Sequence, residues 1–194
     1  MNLNVKEIFY SLQGEGGRQG EASIFIRLSG CNMNCDFCDT DFSKGENMSF
    51  EQILSKIRLF PCYWIIWTGG EPSLQLTDEC FLFFKRAGFR QAIESNGSKP
   101  LSVLLDYTVV SPKGNINDVK KINPRVDEIR LPVKKNDIIP LIESLPESRF
   151  YFLSPVVSEN QEQTKENIDY CVQHILQNPK WRISLQIHKF IGIE

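Results

Sequence analysis

The chain has no apolar run that approaches the roughly 20 residues a membrane-spanning helix needs. It also lacks an excess of either charge, since 22 Lys and Arg residues face 24 Asp and Glu residues and the net charge is −2. Without a basic patch, the sequence shows no footprint of non-specific nucleic-acid binding. The first residues contain no basic segment followed by an apolar core, so a signal peptide is not expected. These absences predict a cytoplasmic protein whose partners include neither membranes nor nucleic acid.

The chain has only two histidines, and its one cluster of cysteines has no fourth member. Cys31, Cys35 and Cys38 form a C-x₃-C-x₂-C motif directly after an apolar run. A closed zinc site or a closed four-iron cluster takes four protein ligands, and His174 and His188 lie far along the chain. A [4Fe–4S] cluster held by three thiolates fits the count without a further ligand. It would leave one iron open to a small molecule, which points to chemistry rather than to a structural role.

The other three cysteines, Cys62, Cys80 and Cys171, are scattered among apolar neighbours. In a reducing compartment disulfides are rare, and free cysteine is commonly a small buried residue. We therefore expect these three to lie in the core and to form no second cluster.

The chain alternates apolar runs with polar or glycine-rich loops and helical patterns, which is typical of a parallel sheet. With 194 residues it is too short for an eightfold barrel. We predict an α/β fold, an open partial βα barrel of about six parallel strands, in one domain over residues 1–194. The predicted strands lie at 22–28, 63–67, 91–93, 107–110, 128–133, 150–153 and 181–185. The predicted helices begin at Ser49 and Thr77, lie around 138–144, and cover 161–176.

The cysteine motif, with Phe37 before its third cysteine, resembles the radical S-adenosylmethionine (SAM) superfamily. Gly69-Gly70-Glu71, after the strand predicted at 63–67, resembles the methionine-binding motif of that superfamily. The resemblance implies that the three cysteines hold three irons and that SAM chelates the fourth. Reductive cleavage of SAM then yields a 5′-deoxyadenosyl radical, so no side chain is expected to be the catalytic group. Taken alone, Thr-Gly-Gly-Glu-Pro could also be a tight turn.

Further motifs resemble one family within that superfamily, the 7-carboxy-7-deazaguanine synthases. They extend over nearly the whole chain: 7–16 (EIFYSLQGEG), 38–40 (CDT), 94–97 (ESNG), 111–113 (SPK) and 184–189 (SLQIHK). The family is a lyase that converts 6-carboxy-5,6,7,8-tetrahydropterin to 7-carboxy-7-deazaguanine with loss of ammonia, in queuosine-type 7-deazapurine biosynthesis. The resemblance implies Mg²⁺, held in part by Thr40, a homodimer, and an electron donor such as a flavodoxin or ferredoxin.

The same resemblance implies two sets of contacts. Those to the pterin substrate are Leu12, Gln13, Gly14, Glu15, Arg27, Thr68 and His188. Those to SAM are Phe37, Gly70, Glu71, Asn96, Ser111, Lys113 and Ser154. At position 154 the family often has Gln-Pro where this chain has Ser-Pro, which weakens a side-chain role there.

Arg27 can also be approached from the residues themselves. It lies between Ile26 and Leu28, and strand alternation puts it on the opposite face from both. A planar guanidinium matches a carboxylate with two hydrogen bonds, as a clamp on the substrate carboxylate requires. The other interpretation is a solvated residue at a strand edge.

Two other functions remain open from the sequence. The chain could be an activase that oxidises a glycine on a partner protein, since such enzymes share the cysteines and the Gly-Gly-Glu motif. It could also be a non-enzymatic zinc or iron–sulfur module, which would rest on the cysteines alone.

Overall fold

The computed structural model describes residues 2–38 and 41–193. The strands are β1 (Asn2–Leu12), β2 (Ala22–Leu28), β3 (Glu46–Ser49), β4 (Trp64–Gly69), β5 (Arg90–Ser95), β6 (Tyr107–Val110), β7 (Arg125–Val133), β8 (Glu147–Pro155) and β9 (Trp181–Ile183). The α-helices are α1 (Phe50–Ile57), α2 (Asp78–Arg86), α3 (Ile116–Ile122), α4 (Gln161–Gln177) and α5 (Ile187–Ile191). Three 3-10 turns cover Gly16–Arg18, Pro72–Leu74 and Ile142–Ser144.

The strands form one sheet in the order β3-β1-β2-β4-β5-β6-β7-β8-β9. From β2 to β9 every neighbouring pair is parallel. The strands β3 and β1 extend this sheet at one side as an antiparallel pair beside β2. The described strands thus form an open α/β barrel, as predicted, with seven parallel strands where about six were expected.

Helix starts follow the local chemistry of the sequence. Ser49 caps α1 by accepting a hydrogen bond from the backbone of Gln52, whose side chain accepts one from the Ser49 backbone in return. Thr77 caps α2 by accepting from the backbone of Cys80. Both caps fix where an amphipathic helix starts, so that its apolar face packs against the sheet.

The core consists of two apolar clusters along the sheet. One packs β1–β5 against α1 and α2 around Trp67 and Phe84, both 0% exposed. The other packs β6–β9 against α3 and α4 around Ile129 and Leu153. These helices pack on one face of the sheet. The opposite face and the ends of the parallel strands can therefore line a cavity.

The cysteine predictions were mostly confirmed. Cys80 and Cys171 are 0% exposed in the two clusters, and burial raises the pKa of each thiol to about 12. Cys62 is only half-buried, and it packs at the margin of the first cluster.

Some element predictions were wrong. The helix expected around 138–144 is only the 3-10 turn Ile142–Ser144. Four further elements, β1, β3, α3 and α5, were not predicted from the sequence. In the described part of the chain no helix is long and apolar enough to cross a membrane.

Candidate active site

One cavity of about 440 Å³ opens where the parallel strands end. In βα barrels this edge collects the functional loops. Of the eighteen residues proposed from the sequence, seventeen line this cavity, and Thr40 lies outside the described residues. The seventeen are Leu12, Gln13, Gly14, Glu15, Arg27, Cys31, Cys35, Phe37, Cys38, Thr68, Gly70, Glu71, Asn96, Ser111, Lys113, Ser154 and His188.

The cysteine loop follows β2 directly and turns tightly. The Cys38 backbone N–H donates to the Cys35 carbonyl at 3.2 Å, and the Met33 N–H donates to the Cys31 sulfur at 3.4 Å. Burial raises the pKa of Cys35, Lys113 opposes that shift, and the two neighbouring thiols raise it further. Metal binding would displace the thiol protons, because cysteine binds a metal as the thiolate.

The donor set of this loop fits an iron–sulfur cluster with an open iron, since three thiols face one cavity beside space for a ligand. Among residues 2–38 and 41–193, no three Cys, His, Asp or Glu side chains already converge as ligands of a single ion.

Gly70 and Glu71 join the end of β4 to the cysteine loop through the backbone. The Gly70 N–H donates to the Leu28 carbonyl and the Glu71 N–H to the Gly30 carbonyl, both at 2.9 Å. The Glu71 carboxylate is 1% exposed. It accepts hydrogen bonds from the Ser73 backbone (3.0 Å), the Ser95 hydroxyl (2.8 Å) and the Asn96 backbone (2.6 Å). The Glu71 carboxylate thus holds the loop through three hydrogen bonds, and both Gly70 and Glu71 line the cavity.

Asn96 and Phe37 connect the cysteine loop with the ends of other strands. The Asn96 amide donates to the Asn32 side chain at 3.0 Å. The Lys134 ammonium lies 5.5 Å from the centre of the Phe37 ring and 2.7 Å from the carboxylate of Asp36. The loop that carries the cysteines is thus attached to the ends of both β5 and β7.

Lys113 and Ser111 lie on the cavity wall after β6. The Lys113 ammonium donates to the Ser111 hydroxyl at 2.9 Å. Part of the lysine surface is open to the cavity, but protein crowds its ammonium group, and this burial lowers the pKa of Lys113. Ser154, 8% exposed, lines the same cavity from the end of β8.

Arg27 faces the cavity from β2, while Ile26 and Leu28 on either side are 0% exposed in the core. The alternation expected from the sequence is therefore confirmed. The guanidinium forms an ion pair with Glu7 and lies 4.9 Å from the centre of the Phe9 ring, both on β1. Arg27 is therefore paired with a carboxylate and lies beside an aromatic ring at the edge of the cavity.

The loop after β1 carries the remaining substrate candidates. The Gln13 side chain, 7% exposed, donates to Glu94 at 2.9 Å. Glu15 accepts from the Gln186 side chain at 2.7 Å. The Ile187 N–H donates to the Gly14 carbonyl at 3.0 Å, which docks α5 against this loop. The C-terminal segment and the N-terminal loop therefore form one wall of the cavity.

Comparison with known proteins now adds to this geometry. Residues 25–175 match the family model of the radical SAM superfamily. The 7-carboxy-7-deazaguanine synthase of Bacteroides thetaiotaomicron is 40% identical over 193 residues, which cover 100% of both chains. The chain belongs to the 7-carboxy-7-deazaguanine synthase family. The relative of that name from Haemophilus influenzae is 39% identical over 200 residues, which cover 100% of this chain and 95% of its own.

A solved structure agrees in fold. The crystal structure of QueE from Escherichia coli matches with a TM-score of 0.73 and covers 95% of this chain and 94% of its own, at 22% identity. Membership in the radical SAM superfamily implies an iron–sulfur cluster, SAM and a reductant. The cysteine loop of this family member supplies three thiols at the cavity wall, the donor type that such a cluster takes.

The charged centre of this synthase site is not predicted from the sequence. Glu94 and Arg130 line the cavity, and Glu128, 0% exposed, lies behind them. Arg130 forms ion pairs with Glu15, Glu94 and Glu128 at 2.7–3.1 Å. The signal was present in β7, where two charged residues alternate with buried apolar ones. From the sequence, 128–133 is predicted only as a strand.

Proposed function

We propose that the protein is a radical SAM lyase that converts 6-carboxy-5,6,7,8-tetrahydropterin to 7-carboxy-7-deazaguanine with loss of ammonia. The product would enter queuosine-type 7-deazapurine biosynthesis. The observation that carries this proposal is that residues from both ends of the chain line one cavity, with the cysteine loop on its wall. Relatives of that name over the full chain length support it.

The cysteine triad and the end of β4 would hold the cofactors. Cys31, Cys35 and Cys38 would ligate a [4Fe–4S] cluster. The Gly70 backbone, close to the cysteine loop, would contact the methionine end of SAM, and Glu71 would hold this loop in place. When bound, the cluster and SAM supply the radical that removes a hydrogen atom from the substrate. The protein's part is to orient the two and to exclude water.

For the rest of SAM we propose contacts with residues on the neighbouring strand ends. These are Phe37, Asn96, Ser111, Lys113 and Ser154. Phe37, Ser111, Lys113 and Asn96 would lie along the nucleoside half of SAM. Ser154 would act through its backbone, since its side chain differs from the residue usual in the family.

The pterin would lie against the opposite wall. Arg27 would bind its carboxylate with the guanidinium fork, since a cation near the cavity suits an anionic substituent. The loop with Leu12, Gln13, Gly14 and Glu15 would face the pyrimidine ring, and Thr68 and His188 would complete the pocket. Amide and carboxylate oxygens accept hydrogen bonds from such a ring.

The site would also need a magnesium ion, an electron donor and a second subunit. Mg²⁺ would bind near Thr40 together with substrate oxygens, since magnesium keeps oxygen ligands from several sources. A flavodoxin or ferredoxin in the cytoplasm would deliver the electron. The working unit would be a homodimer, which light scattering of the purified protein tests directly.

Anaerobic turnover tests the proposed function. Protein reconstituted with iron and sulfide is incubated with SAM, Mg²⁺, dithionite and the carboxylated tetrahydropterin. Mass spectrometry should detect 7-carboxy-7-deazaguanine and ammonia. Release of 5′-deoxyadenosine without deazaguanine would contradict the proposed substrate. Colourless, zinc-loaded protein would favour a non-enzymatic module. The names of the relatives favour the lyase over that module and over a glycyl-radical activase.

A further inference from the structure

Arg130 is a charged residue in the interior of the barrel. Its neighbours on β7, Ile129 and Leu131, are 0% and 6% exposed in the apolar core. Arg130 lies on the other face of the strand with a side chain 9% exposed, and it lines the cavity. Burying a cation is costly unless it is paired with opposite charges and hydrogen-bonded. The partners of Arg130 therefore explain how it can be buried here.

The guanidinium donates four hydrogen bonds, all of them to carboxylates. Nε and Nη2 donate to Oε1 of Glu128 at 2.9 and 2.7 Å. Nη2 also donates to Oε1 of Glu94 at 3.2 Å. Nη1 lies 3.0 Å from Oε2 of Glu15 and 3.1 Å from Oε2 of Glu94. One planar fork therefore sets the relative position of three carboxylates that come from different segments of the chain.

Glu128 is the fixed end of this arrangement. It is 0% exposed and does not line the cavity. Its Oε2 accepts from the Gly17 backbone and from the Tyr107 hydroxyl, both at 2.9 Å. Because Glu128 fixes one edge of the guanidinium, the position of the remaining N–H groups is also fixed. These groups in turn fix the carboxylates of Glu15 and Glu94. Both of these carboxylates line the cavity.

The group formed by Glu15, Glu94, Glu128 and Arg130, here called the carboxylate cluster, has two more negative than positive charges when all its members are ionised. Burial raises the pKa of Glu94; Arg130 opposes this shift, and the carboxylates of Glu128 and Glu15 add to it. A carboxylate accepts about four hydrogen bonds. The donors named above supply two hydrogen bonds to Glu15 and two to Glu94. A ligand with two adjacent N–H donors would therefore donate a further hydrogen bond to the carboxylate of Glu15 and another to that of Glu94.

We propose that Arg130 is a positioning residue that selects the substrate ring. By holding Glu15 and Glu94 as a fixed acceptor pair, it makes the pocket prefer a ring edge with an exocyclic amino group beside a ring N–H. The 2-amino-4-oxopyrimidine edge of a pterin has these donors. This inference rests on the proposed function, since it places the pterin in this cavity. A lysine at position 130 would keep the charge but lose the fork.

Calorimetric titration with two ligands tests the inference. The probes are 6-carboxypterin and 6-carboxylumazine, which has an oxygen in place of the 2-amino group. The native protein should bind the pterin at least about tenfold more tightly, because a missing N–H leaves buried acceptors unpaired. Arg130→Lys should reduce that ratio to less than about twofold. The matched control is Arg125→Lys on the same strand, whose side chain is 77% exposed and pairs with Glu147. It should keep the native ratio.

A second variant acts on Arg130 without changing the cavity wall. Glu128→Gln keeps the shape of the side chain but weakens the fixed end of the guanidinium, so it too should lower the ratio. It replaces Arg130→Lys if that variant does not fold. Equal binding of both ligands by the native protein overturns the inference and leaves the pterin site standing. The inference is also overturned if Arg130→Lys and Glu128→Gln both keep the native ratio of pterin to lumazine affinity. Failure to bind either ligand contradicts the proposed function itself and the inference with it.

Discussion

The α-carbon of Gly70 lies so close to the Gly30 carbonyl that a Cβ at position 70 would be 1.9 Å from that oxygen. Both atoms belong to backbone, at the point where the end of β4 meets the start of the cysteine loop. Glycine at position 70 is therefore a packing requirement of the site. It also keeps the backbone open toward the cavity, where the methionine end of SAM is proposed to lie.

Gly70→Ala should push the cysteine loop away from β4, because the added methyl group meets backbone that cannot rotate aside. We expect a loss of about 1–3 kcal/mol in the free energy of unfolding, together with a lower iron content after reconstitution. The matched control is Gly114→Ala, where the new Cβ would meet only the Met33 side chain, at an ordinary 3.6 Å. Equal iron content and stability in the two variants would show that the loop tolerates displacement.

Each cysteine of the triad should be needed for the cluster. Replacing Cys31, Cys35 or Cys38 by alanine leaves two thiolates, which cannot hold three irons. We expect loss of the visible absorption of the reconstituted protein and loss of SAM cleavage. Cys62→Ala is the control, since Cys62 is also only partly buried but lies outside the cavity. A triad variant that retains a full complement of iron would contradict the three-thiolate ligand set.

The strand ends could be predicted from the sequence because their signals are local. An apolar run, a glycine-rich loop and a capping residue all lie within a few positions of one another, as at Ala22–Leu28 and the Ser49 cap. Strand β1 was missed because its stability comes from pairing with β2 and β3. The helix expected around 138–144 failed at Pro140, which lacks an N–H and disfavours helical backbone in the residue before it.

The residues of the site also divide into those with a local sequence signal and those that depend on distant contacts. The cysteine motif and Gly-Gly-Glu are contiguous, and resemblance to a family extended them to further residues, of which every described one lines the same cavity. The role of Arg130 depends on Glu15, which lies 115 positions earlier in the chain, and no pattern in the neighbouring residues reports that contact. The alternating charges of β7 indicate a charged site, but the partners of Arg130 depend on the topology and are seen only when the strands are placed side by side.

The buried thiol of Cys80 should make the protein less stable at alkaline pH. Burial raises the pKa of this thiol from 9.0 to about 12. Below pH 9 it is protonated in both states, but between 9 and 12 only the unfolded state releases the proton. Folding stability should therefore fall with rising pH in that window, by up to about 1.4 kcal/mol per pH unit from this group.

Chemical denaturation from pH 8 to 11 measures this effect. Cys80→Ala removes the titrating group, so its unfolding free energy should decline less steeply than that of the native protein. Phe84→Leu on the same helix is the control, since it lowers stability at every pH without removing a titrating group. Parallel curves for the native protein and Cys80→Ala would contradict the assignment.

Gly14 and His188 should show strong coupling in folding stability. A Cβ at Gly14 would be 2.0 Å from Nδ1 of His188, where α5 docks on the loop after β1. Gly14→Ala should therefore displace the imidazole and cost about 1–3 kcal/mol of unfolding free energy. In the double variant with His188→Ala the obstacle is gone, so the loss should be smaller than the sum of the single losses by at least about 0.5 kcal/mol. Denaturant titration of the four proteins gives the coupling directly, with no need for a loaded cofactor. Additive losses would mean that the C-terminal helix does not pack on this loop in solution, and His188 would then be removed from the wall of the proposed substrate pocket.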